Sequence, residues 1–357
     1  MTKIDQIETV VVDVPTIRGH VLSMATMRSQ TAVLVRIRFS DGSVGLGEGT
    51  TIGGLTYCVE SPESIQSAID TYIAPALKGK AADDVNVAIQ LMDKIVRGNR
   101  IAKAAVEIAL WDGLGKRLGV PVSQLFGGQV HARMPVAWTL ASGSSDTDIA
   151  EALEMIETRR HNIFKLKIGK RSVRDDVAHV AAIKRAVGNA GSVRVDINQA
   201  WSLHDARWGL KGLQDAGCEL VEQPVQGRYV EAQRELTAKY EIAVMADEVL
   251  NGPEDALEIA ANAAADVFAV KVAQSGGIKR ASEVVAIGQA AGLGLYAGTM
   301  LETGLGTAAA LQLFCTVEKL RWGTELFGPL LLTDDILAEP IKYNDFCVEV
   351  PQGAGIG

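Results

Sequence analysis

The sequence predicts an α/β chain, a TIM-type (β/α) barrel preceded by a smaller α+β domain. Three observations carry that expectation. Beyond Gly127-Gly128, short apolar runs alternate with stretches of helical periodicity in a pattern that suits seven or eight βα units. Five ionisable residues, Lys167, Asp196, Glu222, Asp247 and Lys271, fall in or just after five successive runs, at intervals of 29, 26, 25 and 24 residues. Each interval holds one strand, one helix and their loops. The competing architecture, an open doubly wound sheet, lacks its dinucleotide fingerprint here.

The elements follow in order. Residues 4–13 and 31–38 read as strands, Asp41-Gly42 as a hairpin turn, and 44–48 as the returning strand. The stretch from Gly47 to Gly54 reads as a mobile loop, and without GK[ST] it is a weak candidate for phosphate binding. Residues 61–78, 84–96 and 101–117 read as helices. Barrel strands are expected at 134–140, 163–168, 193–197, 219–221, 242–246, 267–272 and 293–297. Helices are expected between them at 146–160, 174–188, 203–216, 254–265 and 278–291. Residues 340–350 alternate apolar and polar and read as a strand returning to the first domain, with a flexible tail after it.

Composition narrows the function classes. The 357 residues are 48% hydrophobic, enough for a large core, with net charge −8. No basic run is present, which argues against nucleic acid, and no uncharged apolar run reaches membrane-spanning length. Four scattered cysteines without CxxC and a charged N-terminus fit a cytoplasmic protein with reduced thiols. The five histidines lack ligand spacing, so a histidine zinc site is not expected.

In a closed barrel the five strand ends converge on one mouth. Asp196, Glu222 and Asp247 are then three oxygen donors suited to a hard divalent cation. Lys165 and Lys167 share a strand face, about 7 Å apart. Their mutual repulsion is expected to lower both pKa values, which suits proton transfer. Lys271 should stand on the far side of the mouth, four strands away. Asn198 shares a face with Asp196, either to hold a substrate carboxylate or to cap the next helix. Glu302 could be a general acid, a partner of Lys271 or a helix N-terminal acid. A cation beside an amine reads as proton transfer at the carbon α to a carboxylate.

The segments KLK at 165–167, VDINQAW at 195–201, EQP at 222–224, ADE at 246–248 and VFAVKVAQSGG around Lys271 resemble the muconate-lactonizing subgroup of the enolase superfamily. The likeness covers essentially the whole chain and extends to VPTIRGH, TTIGGLTY, GTMLETGLGT and WGTELFGPLLLTD. It implies an α+β capping domain (1–128), a modified (β/α)7β barrel (129–330) and a C-terminal segment (331–357) that completes the cap. It implies reversible closure of a small dicarboxylate, cis,cis-muconate, to muconolactone through a metal-stabilised enolate, in aromatic catabolism. By resemblance Asp196, Glu222 and Asp247 bind Mn2+ or Mg2+, and Lys167 is the acid or base with Lys271 opposed to it. Glu302 matches a proton-donor glutamate, and Lys165 and Asn198 contact the substrate carboxylate. Ile52 and Tyr57 match the muconate type rather than the chloromuconate type. The resemblance further implies a cytoplasmic homo-oligomer, an octamer. It leaves open a chloromuconate cycloisomerase, a dipeptide or N-acylamino acid epimerase, and an o-succinylbenzoate synthase.

Overall fold

The computed structural model describes residues 1–22 and 26–357. Strands β1 (Ile4–Val21), β2 (Thr26–Phe39) and β3 (Val44–Thr50) form an antiparallel sheet in chain order. The Asp41-Gly42 turn joins β2 to β3, with Gly42 at φ 84° and the Ser43 N–H donating to Asp41 Oδ1 at 2.9 Å. Helices α1 (Pro62–Ala68), α2 (Ala74–Leu77), α3 (Val85–Ile95) and α4 (Arg100–Leu118) cover this sheet. The single helix expected over 61–78 is interrupted by a π-turn at Ile69–Ile73. Pro75, two residues past the π-turn, has no N–H to extend a regular ladder.

Helix α4 lies unusually close to β3. A Cβ on Gly47 would stand 2.0 Å from the Ala105 carbonyl oxygen, and one on Gly45 the same distance from that of Ala109. The glycine-rich stretch expected to be a loop therefore begins as a strand, and its glycines serve helix packing.

After α5 (Val122–Leu125) and β4 (Arg133–Pro135) come seven parallel strands. They are β5 (Trp138–Leu140), β6 (Ile163–Lys167), β7 (Ser192–Asp196), β8 (Leu220–Glu222), β9 (Ala243–Ala246), β10 (Val267–Val270) and β11 (Gly294–Ala297), neighbours in that order. The intervening helices are α6 (Ser145–Glu157), α7 (Val173–Val187), α8 (Leu203–Asp215), α9 (Val230–Lys239), α10 (Pro253–Ala261), α11 (Val272–Ser275) with α12 (Ile278–Ala290), and α13 (Gly304–Phe314). Serines begin three of them: Ser144, Ser172 and Ser202 each accept a hydrogen bond from an amide of the first turn.

Thr324 closes the ring. Its N–H donates to Pro135 O at 2.9 Å and its carbonyl accepts from Ala137 N at 2.8 Å. On the other side Ala297 N donates to Gly323 O at 3.1 Å and Glu325 N to Ala297 O at 2.8 Å. The eighth strand is reduced to this bridge, which gives the (β/α)7β form. The strand expected over 134–140 is divided: β4 pairs with a C-terminal strand, while Trp138–Leu140 pairs with β6 and Val136 bridges Thr324.

The barrel interior is layered. Leu220, Met245, Val267, Ala269 and Tyr296 pack together as a floor, with Arg194 at the matching position of β7. Two residues further along, the same strands present Asp196, Glu222, Asp247 and Lys271.

Beyond α14 (Gly328–Leu331), strands β12 (Tyr343–Asn344) and β13 (Cys347–Glu349) form a hairpin that pairs with β4. The continuous strand expected over 340–350 is broken because Asp345 and Phe346 take φ 47° and 64°. The tail expected to be flexible is docked. Val122 N donates to Gly355 O at 2.7 Å, and Ile356 N to the buried Asp112 at 3.0 Å. The Ile356 side chain is buried against the cap. Among the described residues no helix is long and apolar enough to cross a membrane.

Candidate active site

The mouth of the barrel holds a small cavity of about 10 Å3, room for about one water molecule. Its walls carry Lys165, Lys167, Asp196, Glu222, Asp247 and Lys271 from the barrel and Ile52 and Tyr57 from the cap. Strand register aligns three of these, since Lys167 pairs with Asp196 and Asp196 with Glu222. Lys271 follows β10, four strands round from β6, so the two amines face each other across the acids.

Each acid has a lysine. Lys167 forms an ion pair with Asp196. Lys165 reaches Glu222 at 3.0 Å and Asp196 at 3.6 Å, and also pairs with Glu325. Lys271 lies 2.8 Å from Asp247 and donates to Tyr57 Oη at 2.6 Å, while Tyr57 donates to Asp247 at 2.8 Å. The cap tyrosine therefore closes onto the barrel's own ion pair.

The electrostatics follow from burial and crowding. Burial works against ionising Asp196, yet the Lys167 and Lys165 ammoniums hold it down at about 2. Burial and the neighbouring Asp196 charge push Glu222 well above the usual carboxylate range. Burial opposes the charge on Lys165, but Glu222, Glu325 and Asp196 outweigh it and raise its pKa. The lowering expected for Lys165 does not occur, because carboxylates surround it more closely than Lys167 does. Lys271 is raised in the same way, with Asp247 the main partner against burial.

Four carboxylates line the cavity against three ammoniums, and the one imidazole, His20, is neutral: burial and Lys167 lower its pKa to about 3. Glu222 Oε1 is buried without a hydrogen-bond partner. A deficit of positive charge, an unpaired oxygen and an all-oxygen donor set fit a hard divalent cation. Among the described residues no three acidic, thiol or imidazole groups already form a coordination cage, since each acid is turned towards a lysine.

Two candidates stand outside the cavity wall. Asn198 donates to Asp196 at 3.2 Å and to Glu248 at 3.1 Å, bracing the acids from behind. It does not cap α8, where Ser202 does so. Glu302 turns back on its own loop, accepting from Thr299 Oγ1 and from Met300 N at 2.9 Å. Burial raises its pKa to about 7. Thr299 and Leu301 of that loop line the cavity instead. Sequence reasoning also missed His20 and Glu325, both in the wall. Searching histidines for metal spacing hid the first, and the absence of a strand pattern around Thr324 hid the second.

Fold and site define a capped barrel enzyme with acids and opposed lysines at its mouth. Residues 6–127 match the mandelate racemase / muconate lactonizing enzyme N-terminal domain, and residues 148–357 the enolase C-terminal domain-like family. Muconate cycloisomerase 1-2 of Acinetobacter lwoffii is 55% identical over 99% of this chain and 92% of its own. The crystal structure of a muconate lactonizing enzyme from Pseudomonas fluorescens complexed with muconolactone superposes with TM-score 0.99 at 51% identity, covering 100% of this chain and 96% of that one. A chloromuconate cycloisomerase from Pseudomonas sp. strain P51 is more distant, 44% identical over 99% of this chain and 96% of its own. The chain belongs to the mandelate racemase / muconate lactonizing enzyme family.

Proposed function

We propose that the protein is a muconate cycloisomerase that interconverts cis,cis-muconate and muconolactone. The observation that carries this reading is the pair of opposed amines, Lys167 and Lys271, facing one another across Asp196, Glu222 and Asp247 in one closed cavity. The relatives support the substrate: those named for muconate are 49–55% identical, and those named for chloromuconate 43–44%.

Asp196, Glu222 and Asp247 would hold Mn2+ or Mg2+, which neutralises charge developing on the substrate carboxylate. One carboxylate of muconate adds to the distal double bond, forming the ring C–O bond and leaving an enolate of the other carboxylate. Lys167 Nζ gives its proton to the α-carbon and is left as the neutral amine. In the reverse direction that amine removes the proton and the C–O bond breaks. Lys271 supplies positive charge on the opposite face, steadied by Tyr57. Lys165 is tied by three acids and so serves as a fixed cation for a substrate carboxylate. Ile52 and Tyr57 close the cavity against water. Asn198 and Glu302 brace the groups in front of them. A cytoplasmic homo-oligomer, an octamer by resemblance, belongs to the same reading; four free cysteines suit a reducing compartment.

The test is loss of muconate absorbance with added Mn2+. Lys167→Ala should lower turnover by at least about 100-fold while Mn2+ binding persists. Near-normal turnover in that variant would overturn the assignment. Deuterium exchange at the α-carbon of N-acylamino acids without lactonisation would point to an epimerase instead.

A further inference from the structure

The loop between β11 and α13 forms part of the cavity wall, yet two residues of the cap hold it. Gln30, buried on β2, donates its side-chain amide to Met300 O at 2.8 Å and to Leu301 O at 2.9 Å. Glu48, buried on β3, accepts from Thr303 N at 2.8 Å and Gly306 N at 2.7 Å, and from the hydroxyls of Thr303 and Thr50, each at 2.6 Å. The carboxylate thus satisfies two of the free amides that begin α13, where the helix dipole favours a negative charge. Gly306 makes room for it: a Cβ there would stand 3.1 Å from Glu48 Oε2 and 2.7 Å from Glu302 Cβ.

The segment held in this way is strained. Leu301 takes φ 60°, a left-handed conformation costly for a γ-branched residue, and its N–H is turned onto Thr299 Oγ1 at 2.8 Å. Such a conformation persists only where the surroundings over-determine it. Thr299 and Leu301 are the two loop residues that face the cavity. Glu48 also lies four residues before Ile52 on the same cap strand and its extension, so one residue joins the cap's wall to the barrel's.

We propose that Gln30 and Glu48 are positioning residues that clamp residues 299–303 from the cap side and so set the cavity wall for substrate. Neither touches the reacting atoms. The activity readout rests on the cycloisomerase reading; the structural readout does not.

Amide hydrogen exchange and steady-state kinetics on the full-length protein test this together. In Glu48→Gln, exchange within 299–306 should rise at least tenfold, with protection elsewhere in the barrel unchanged. KM for muconate should rise more than kcat falls. Gln30→Leu should show the same pattern, centred on 300–301, and serves if Glu48→Gln fails to fold. Unchanged exchange in this loop overturns the proposal, as does increased exchange with wild-type kinetics. If the wild-type protein does not turn over muconate, the cycloisomerase reading falls, and the exchange data alone decide the clamp.

Discussion

Glu107 offers the sharpest quantitative prediction. It lies fully buried on α4, accepting from Ile278 N at 2.8 Å, Lys279 N at 2.9 Å and Trp111 Nε1 at 2.8 Å, and so ties the cap's central helix to the start of α12. Burial outweighs these bonds and raises its carboxyl from 4.5 to about 7. Ionising it in the native state therefore costs on the order of 3 kcal/mol more than in the unfolded chain. Because the native pKa is raised, the native state holds the proton more tightly. The associated stability is complete below about pH 4.5 and is lost as pH rises through about 7. Between pH 6 and 8.5 the loss amounts to about 1.4 kcal/mol, a factor of ten in the unfolding equilibrium. Glu107→Gln removes the titration and leaves the Ile278 N–H facing an amide, which costs about 1–2 kcal/mol at every pH. Urea unfolding of both proteins at pH 6 and 8.5, followed by tryptophan fluorescence, should show the wild-type advantage shrinking by about 1.4 kcal/mol at the higher pH. Both conditions lie above the isoelectric point near 5.3. An advantage constant to within about 0.3 kcal/mol would refute the assigned burial cost.

Two further outcomes are expected. Tyr57→Phe removes the hydroxyl shared by Lys271 and Asp247 and should lower kcat/KM for muconate by about tenfold, mainly through KM, from the loss of roughly one net hydrogen bond; unchanged kinetics would deny the tyrosine its closing role. Ile356→Ala should destabilise the protein by about 2 kcal/mol, because the residue is buried against the cap; an unmoved urea midpoint would show that the tail contributes nothing to stability.

The legible part of the site was the part with period and spacing. Asp196, Glu222, Asp247 and Lys271 stand out because each ends an apolar run and the runs recur at one βα interval. What could not be read lies where chain neighbours are not spatial neighbours. His20 belongs to the cap sheet and reaches the cavity only because cap and barrel pack together. Glu325 sits on a strand one bridge long, too short for any alternation. The pKa of Lys165 was misjudged because sequence pairs it with Lys167, whereas folding surrounds it with three carboxylates. The glycines of β3 read as loop residues, since close helix approach leaves no other trace in sequence. The tail read as flexible for want of side chains, but its backbone finds partners in Val122 and Asp112.

The narrow closure of the barrel at Thr324 has a consequence for the order in which the protein matures. The residues that meet there, Val136 and Thr324, are separated by 188 positions in the chain. Glu325, the partner of Lys165, follows immediately. A nascent chain emerging from the ribosome can complete β6 to β10, with Lys165, Lys167, Lys271, Asp196, Glu222 and Asp247 already made, before this seam exists. Until the last strand arrives, Lys165 lacks one counter-ion and the ring is open to water on the side of β5. Synthesis therefore adds the cavity's fourth carboxylate in one of its final steps, and a chain truncated before residue 325 would carry Asp196, Glu222 and Asp247 without a sealed site.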